Sequence, residues 1–397
     1  MVLNKIQPDT ISDRLHLVWI YPESLLGLLH IAPRLEMTRE LRKIGWEVTF
    51  LAAGSKGNHI IDGVEFTCLP TPDIYLLRQV VFHLRVILSI SQHWDATDII
   101  FFHQHSLLFV LLLWLVQKLK GGNRPLFVMD TRTVPMEGEK GTLKDKIRGN
   151  FMLAMNSLAN RSIDGQTAIT VRMAELLQIP AKKLWGVFPS GVDIDQFLPA
   201  RGKRIWPKSD EPIQIIYFGK LAAERNIMVL CEAVVQANQY GMSFELSLVG
   251  SGNQYDQLVE FACHSGDKVH VISQMPHNQI PEILSRMHIG ALPFPDEPQF
   301  RVSSPIKLFE YMGAGLPILA TRIVCHTDVI GDQPCVFWAE KSTVESHLAA
   351  LRDVWIGRSR LASMGEVSYK VARNYTWAAS AMKLSDALKF GMGITKK

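Results

Sequence analysis

Cysteine is scarce in this 397-residue chain, and its five residues are widely spaced: Cys68, Cys231, Cys263, Cys325 and Cys335. No C-x-x-C occurs, which argues against a disulfide framework and against a structural zinc site. The simplest expectation is a reducing compartment. An excess of one charge is also lacking. Lys+Arg 42 against Asp+Glu 38 leaves a net charge of +4, evenly spread over the two halves. No nucleic-acid partner is expected from such a balance. Long hydrophobic runs are missing too. The most apolar stretch, Leu107–Val116, spans ten residues, too few to cross a bilayer. Extending it back to Ile99 meets His103, Gln104, His105 and Ser106, which fits a buried strand, loop and helix better. Met1–Arg14 is polar and carries acidic residues, unlike a secretory signal. These absences lead to the expectation of a cytoplasmic chain, soluble or peripheral on the inner face of a membrane.

Core-forming residues are plentiful, at 47% apolar, and the length suits two or three domains. Short apolar runs alternate with amphipathic ones. Candidate strands in the first half are Leu15–Tyr21, Glu47–Ala53, Val64–Leu69, Asp98–His103, Pro125–Asp130, Gln166–Val171 and Gly186–Pro189. In the second half they are Ile213–Phe218, Phe244–Val249, Val269–Ser273, Ile289–Phe294, Leu316–Thr321 and Val336–Trp338. Strands apolar on both faces and separated by helices read as parallel sheets with covered faces. Two such sets imply an α/β chain of two doubly wound domains. Pro199, Gly202 and Pro207, with Arg201, Lys203 and Arg204, read as a polar connection between them. The predicted division is 1–195 and 196–375, with 376–397 packing back on the first domain. Thr376–Phe390 reads as one helix begun at a Thr cap.

The most informative stretch is Ser303-Ser-Pro-Ile-Lys-Leu-Phe-Glu-Tyr-Met-Gly-Ala-Gly315. Ser304 suits an N-cap, Pro305 the first helical position and Gly315 the residue past the end. The helix start would then sit near the carboxyl end of Ile289–Phe294, where ligands of open α/β sheets bind. Its unpaired N–H groups and partial positive charge attract phosphate. Lys307 opposes the helix dipole, a conflict that a bound anion relieves; a solvated Lys on an ordinary crossover helix is the plainer reading. Glu310 could accept hydrogen bonds from two vicinal hydroxyls, or could be a surface Glu.

That stretch, continued to Thr321, resembles the donor-site signature of the retaining GT-B glycosyltransferases, glycosyltransferase family 4. Other segments fit in order: Phe188-Pro-Ser-Gly-Val-Asp at the domain junction, Ile216-Tyr-Phe-Gly-Lys-Leu-Ala-Ala-Glu-Arg-Asn226, Leu248-Val-Gly-Ser-Gly252 and Asn374-Tyr-Thr-Trp377. Asp130-Thr-Arg132 and the His103-Gln-His105 turn fit in the first half.

The resemblance implies a GT-B fold, two Rossmann-like domains facing across a cleft. It implies transfer of a sugar from a nucleoside diphosphate-sugar to an acceptor hydroxyl with retained anomeric configuration, in polysaccharide, glycolipid or other glycoconjugate synthesis. The acceptor would be a glycan, a lipid-linked molecule or a protein. No cofactor or metal is expected, since Lys and Arg take the metal's role in this fold. Lys220 and Arg225 would grip the diphosphate, Glu310 would hold the ribose, and His105 would sit near the sugar, with His103 as the alternative. Gly219, Gly250, Ser303, Ser304, Pro305, Ile306 and Lys307 would shape the donor site, and Gln274 and Met275 would edge the base. Glu23, Gly27, Asp130 and Arg132 fall on the acceptor side.

The sequence departs from the family at three points. Val302 stands where the first Glu of the E-x7-E motif belongs, with Asp296, Glu297 and Arg301 nearby as substitutes. Asn226 replaces a common Gly, and the loop Tyr21-Pro-Glu-Ser-Leu-Leu-Gly27 lacks a Gly-Gly pair. The rivals are a nucleoside diphosphate-sugar epimerase, a phosphorylase, and a degenerate partner subunit that binds sugar nucleotide without transfer. A dehydrogenase is disfavoured, because Tyr255 occupies the last position of the would-be G-x-G-x-x-G. A basic segment, Lys118, Lys120, Arg124, Lys140, Lys144, Lys146 and Arg148, could rest on anionic lipid or be a solvated face.

Overall fold

The computed structural model describes residues 14–24, 32–61, 63–121, 125–135 and 142–394. It contains two sheets. The first has eight strands: β1 His16–Ser24, β2 Glu47–Gly54, β3 Gly57–Ile61, β4 Val64–Pro70, β5 Ile99–His103, β6 Leu126–Thr131, β7 Gly165–Ala168 and β8 Leu184–Val187. Their order is β3-β4-β2-β1-β5-β6-β7-β8. The second has six: β9 Ile213–Lys220, β10 Phe244–Ser251, β11 Val269–Ser273, β12 Ile289–Leu292, β13 Ile318–Thr321 and β14 Val336–Ala339, in the order β11-β10-β9-β12-β13-β14. Every pairing is parallel except that of β3 with β4. The α/β reading with two Rossmann-like sheets holds. The strand Gly57–Ile61 was not expected from the sequence, because its alternating exposure marks a half-open edge strand rather than a doubly covered one.

Both faces of each sheet are covered. In β1, Leu17 and Trp19 pack with the helices 32–43 and 377–391, while Val18 and Ile20 face the helices 75–92, 107–119 and 143–161. Alternate residues point to opposite faces, so one strand seeds two cores. The helix Trp377–Gly391 is capped by the Thr376 hydroxyl, which accepts from the Ala379 amide at 3.1 Å. It buries Ala381, Leu384 and Leu388 against the first sheet, and the Trp46 indole donates to Ser385 Oγ at 2.9 Å.

The expected polar connection is instead the helix Ile194–Lys203, which contains Pro199. The Asp193 carboxylate accepts from the Asp195 and Gln196 amides, and Phe197 and Ala200 are buried. Capping and burial outweigh the hydrogen bond that Pro199 removes. Arg204 is buried as well. Its guanidinium donates to the carbonyls of Leu284, Met287, Ala314 and Gly315 at 2.7–2.9 Å. Burial pushes its pKa down to about 10. Two of those carbonyls close the end of the 306–313 helix, so Arg204 ties that helix to the junction.

Candidate active site

The carboxyl ends of the two sheets face each other across a cleft of about 600 Å³. The helix Ile306–Gly313 points its N-terminus into it. Pro305, not Ser304, is the cap residue. Ser304 lies one residue earlier, and its hydroxyl accepts from the Ser190 amide at 3.0 Å. Pro305 has no N–H and an extended ψ of 107°, and the preceding serine bridges to the segment that follows β8. Gly315 follows the helix at φ +68°, the left-handed conformation that suits glycine past a helix end.

The loop after β9 supplies the cations. The Tyr217 hydroxyl donates to the Lys220 carbonyl at 3.0 Å, and the Ala223 amide donates to Asn253 Oδ1 at 3.3 Å. Asn226 closes the loop at φ +58°, and its side chain donates to the Ser342 carbonyl at 2.8 Å. Asn is among the few side chains that tolerate this region, which explains why a non-glycine serves here. Gly219, at φ +121°, lies against the Lys307 side chain, and a Cβ there would collide with the amine. Glycine at 219 is therefore what admits Lys307 to the cleft.

Lys307 is half-buried, and burial, with Arg225 adding to it, lowers its pKa to about 8. The Arg225 guanidinium stacks over Phe294 and Phe300 at 5.1 and 5.3 Å, and its buried Nε has no hydrogen-bond partner. Lys220 is exposed and paired with Glu224 at 2.7 Å. Two crowded cations, one with an unsatisfied donor, form a receptor for an oxyanion.

Glu310 is buried to 5% exposure and accepts from His277 Nε2 at 2.6 Å. His277 Nδ1 in turn meets the Gln196 amide nitrogen at 3.3 Å, and Phe197 meets the ring edge-on. His277 escaped the sequence reading. Its signal was a histidine two residues past Met275, in a loop already assigned to the base. Gln274 accepts from the Ser251 hydroxyl at 2.6 Å. Gly250, Gln274, Met275, Ser303, Ser304, Pro305 and Ile306 all line the cleft with Lys220, Arg225, Lys307 and Glu310.

The first-domain wall carries Glu23, His103, His105 and Arg132, and also Tyr21, Arg34 and Arg148. Strand alternation predicts that only one of the two histidines faces the cleft. Both do, 5.0 Å apart between ring centroids, because β5 ends at His103 and a tight 3-10 turn follows. Burial lowers the pKa of both, His103 strongly. The Tyr21 hydroxyl donates to Glu23 at 2.8 Å. Arg132 lies over Phe188 at 4.6 Å, with a buried Nη2 that finds no partner. Asp130 does not reach the cleft. It is buried behind it, accepts from the Thr167 hydroxyl at 2.9 Å, and has its pKa raised by burial. Gly27 lies outside the described residues.

Val302, the missing Glu, is buried among Val134, Ile169 and Met173 of the first domain, and its carbonyl accepts from the Thr170 hydroxyl at 2.7 Å. With the Arg172–Asp328 pair at 2.8 Å, it joins the two domains beside the cleft. Asp296 and Arg301 pair with each other on the surface at 2.7 Å, and neither they nor Glu297 lines the cleft. Asp193 and Asp195 form the chain's single Asp-x-Asp, which corrects the expectation that the sequence holds none. Asp193 lines the cleft as a helix cap.

Residues 212–355 match the family of glycosyl transferases group 1. The second unit is a glycosyltransferase domain. The whole chain is similar in fold to sucrose-phosphate synthase from Thermosynechococcus elongatus, at 14% identity and a TM-score of 0.72 over 94% of this chain and 98% of that one. It is similar to Anabaena HepE in complex with UDP-glucose, at 12% identity and 0.69, over 95% and 100%. It is also similar to the catalytic domain of starch synthase IV from Arabidopsis thaliana bound to ADP and acarbose, at 12% and 0.68, over 96% and 100%. At these identities the likeness speaks for the GT-B fold of the enzyme. No curated protein sequence matches it.

Proposed function

We propose that the enzyme transfers a sugar from a nucleoside diphosphate-sugar to an acceptor hydroxyl with retained configuration, as a family 4 transferase, in glycoconjugate synthesis. One observation carries this reading. The start of the 306–313 helix, Lys307 and the unsatisfied Arg225 converge on one spot, with Glu310 a turn further along. The cations hold the diphosphate and stabilise the charge that develops as it departs. Lys220 joins them on release from Glu224. Glu310, fixed by His277, accepts from the ribose hydroxyls. Gln274 and Met275 edge the base, and His105 meets the sugar from the opposite wall. The leaving phosphate takes the acceptor proton on the same face of the sugar, so positioning does most of the work, and no metal is invoked. The acceptor enters along Glu23, His103 and Arg132. An acceptor oxygen there accepts from the unpartnered Arg132 Nη2. The group 1 match favours transfer over epimerisation or a degenerate subunit.

A thermal-shift screen of UDP-, GDP- and ADP-sugars tests the donor class, since a ligand bound only by the folded state raises the melting temperature. One donor is expected to raise it, with the shift lost in Glu310→Ala. If none does, the assignment fails. The anomeric configuration of the product, read by NMR, decides retention.

A further inference from the structure

Three helices of the first domain turn apolar side chains to solvent. On the helix 75–92, Leu76, Val80, Leu84 and Leu88 are exposed, Leu76 to 75%. On the helix 107–119, Leu108, Leu112, Leu115 and Leu119 are exposed, Leu119 to 87%. On the helix 143–161, Leu143, Ile147 and Phe151 are exposed. The spacing is helical, so each helix bears an apolar stripe on its outer side. Their opposite sides share one core: Phe82, Val110 and Met155 pack with Ile100 and Phe102. The three helices therefore lie side by side on one face of the first sheet, and the stripes form one surface. Soluble monomers rarely expose so large a contiguous patch.

The charge on these helices selects the occupant. They hold seven basic residues, among them Arg78, Arg85, Lys118 and Lys146, against one acidic residue, Asp145. Arg85 and Lys146 are exposed, and Lys118, also exposed, is paired with Asp164 at 2.9 Å. Apolar stripes flanked by cations fit an anionic lipid surface, whereas a second copy would set like charges face to face. Among the described residues no helix is long and apolar enough to cross a membrane. The surface also adjoins the cleft. The helix 107–119 starts directly after the His103–Ser106 turn, and Arg148 and Met152 of the helix 143–161 line the cleft wall. Arg124 and Lys140 of the basic segment lie outside the described residues.

We propose that this three-helix face docks on an anionic bilayer surface, with its leucines in the interface and its cations among the headgroups, bringing the acceptor side of the cleft to the lipid. This deepens the transferase reading and rests on it only for the acceptor; docking itself needs no nucleotide. The test is flotation of the full chain with phosphatidylglycerol-containing vesicles and with pure phosphatidylcholine vesicles. Anionic vesicles are expected to carry the protein at about 0.05 M salt and to release most of it at about 0.5 M, as screening requires. The variant Leu76→Gln/Leu84→Gln/Leu112→Gln/Leu115→Gln/Ile147→Gln should keep the native melting temperature and bind at least about tenfold more weakly. Arg85→Gln/Lys146→Gln should lose the salt-sensitive part. No flotation with anionic vesicles, or equal flotation of the five-site variant, overturns the proposal. So does a native dimer in sedimentation that the five-site variant converts to monomer, which would make the face a self-association surface. A nucleotide thermal shift without flotation would remove the docking and leave the transferase reading intact.

Discussion

The two domains share one plan, a parallel sheet between helices, yet they treat their outer surfaces and their cleft walls differently. In the second domain apolar side chains go inward, and large exposed ones such as Tyr240 and Ile356 are scattered. In the first, three neighbouring helices carry apolar side chains on both sides. The cleft walls differ in the same sense. The second domain offers a fixed receptor, with Lys307, Arg225, Glu310 and His277 held by buried partners or packed rings. The first offers two histidines, Arg34, Arg132, Arg148 and Glu23 around open space. A sheet core explains the shared plan. On the proposed function the differences belong to what each domain would meet, a compact charged donor on one side and a variable acceptor on the other.

The largest expected effect is in the donor wall. Arg225→Ala should lower turnover by about 10²–10³, the cost of losing one preorganised donor to developing charge, and should also weaken nucleoside diphosphate binding in calorimetry. Arg132→Ala on the other wall should lower turnover while leaving diphosphate affinity unchanged. If both variants lose diphosphate affinity equally, the division of labour between the walls fails.

Next comes stability. Arg204→Ala leaves four carbonyls without their shared donor, and should cost about 3 kcal/mol in denaturant unfolding. Leu308→Ala, fully buried in the second core, should cost about 2–5 kcal/mol. Leu112→Gln on the exposed stripe should stay within about 0.5 kcal/mol. A large loss at Leu112 would mean that the stripe is packed against something within the chain.

Lys307 gives a pH signature. Its folded pKa of about 8 lies below the model-compound value of 10.5. Between those values the unfolded chain binds more protons, so the contribution of Lys307 to stability of the free enzyme rises with pH there. Affinity for a nucleoside diphosphate should move the opposite way, falling as pH rises through about 8 and the amine loses its charge. Calorimetry at pH 7 and pH 9 reads this, and Lys307→Arg should abolish the fall.

The smallest effect concerns positioning. His277→Ala should leave the fold intact and weaken binding of the nucleoside diphosphate-sugar by about tenfold, the worth of one charge-assisted hydrogen bond. A 2′,3′-dideoxyribose analogue should not feel the change, because His277 acts only through Glu310 and the ribose. Equal losses for both ligands would make His277 a general structural residue.

Periodicity alone exposed the alternation of strands and helices, and the spacing from Ser303 to Gly315 marked the donor helix, because local hydrophobic pattern and helix-end chemistry are written in neighbouring residues. The edge strand Gly57–Ile61 was hidden, since half-open alternation carries little apolar signal. The helix Ile194–Lys203 was hidden by Pro199, because its stability comes from a cap and from burial against distant residues. The same limit applies to Arg204, His277 and Val302. Each looked like a linker cation, a loop residue or a missing Glu until partners 33 to 132 positions away were brought against it. The sequence by itself determined which segments become strands and helices and which chemical groups are present. Only the tertiary structure decided which donors stay unsatisfied and which leucines stay wet, because solvation and hydrogen bonding depend on neighbours that chain order does not name.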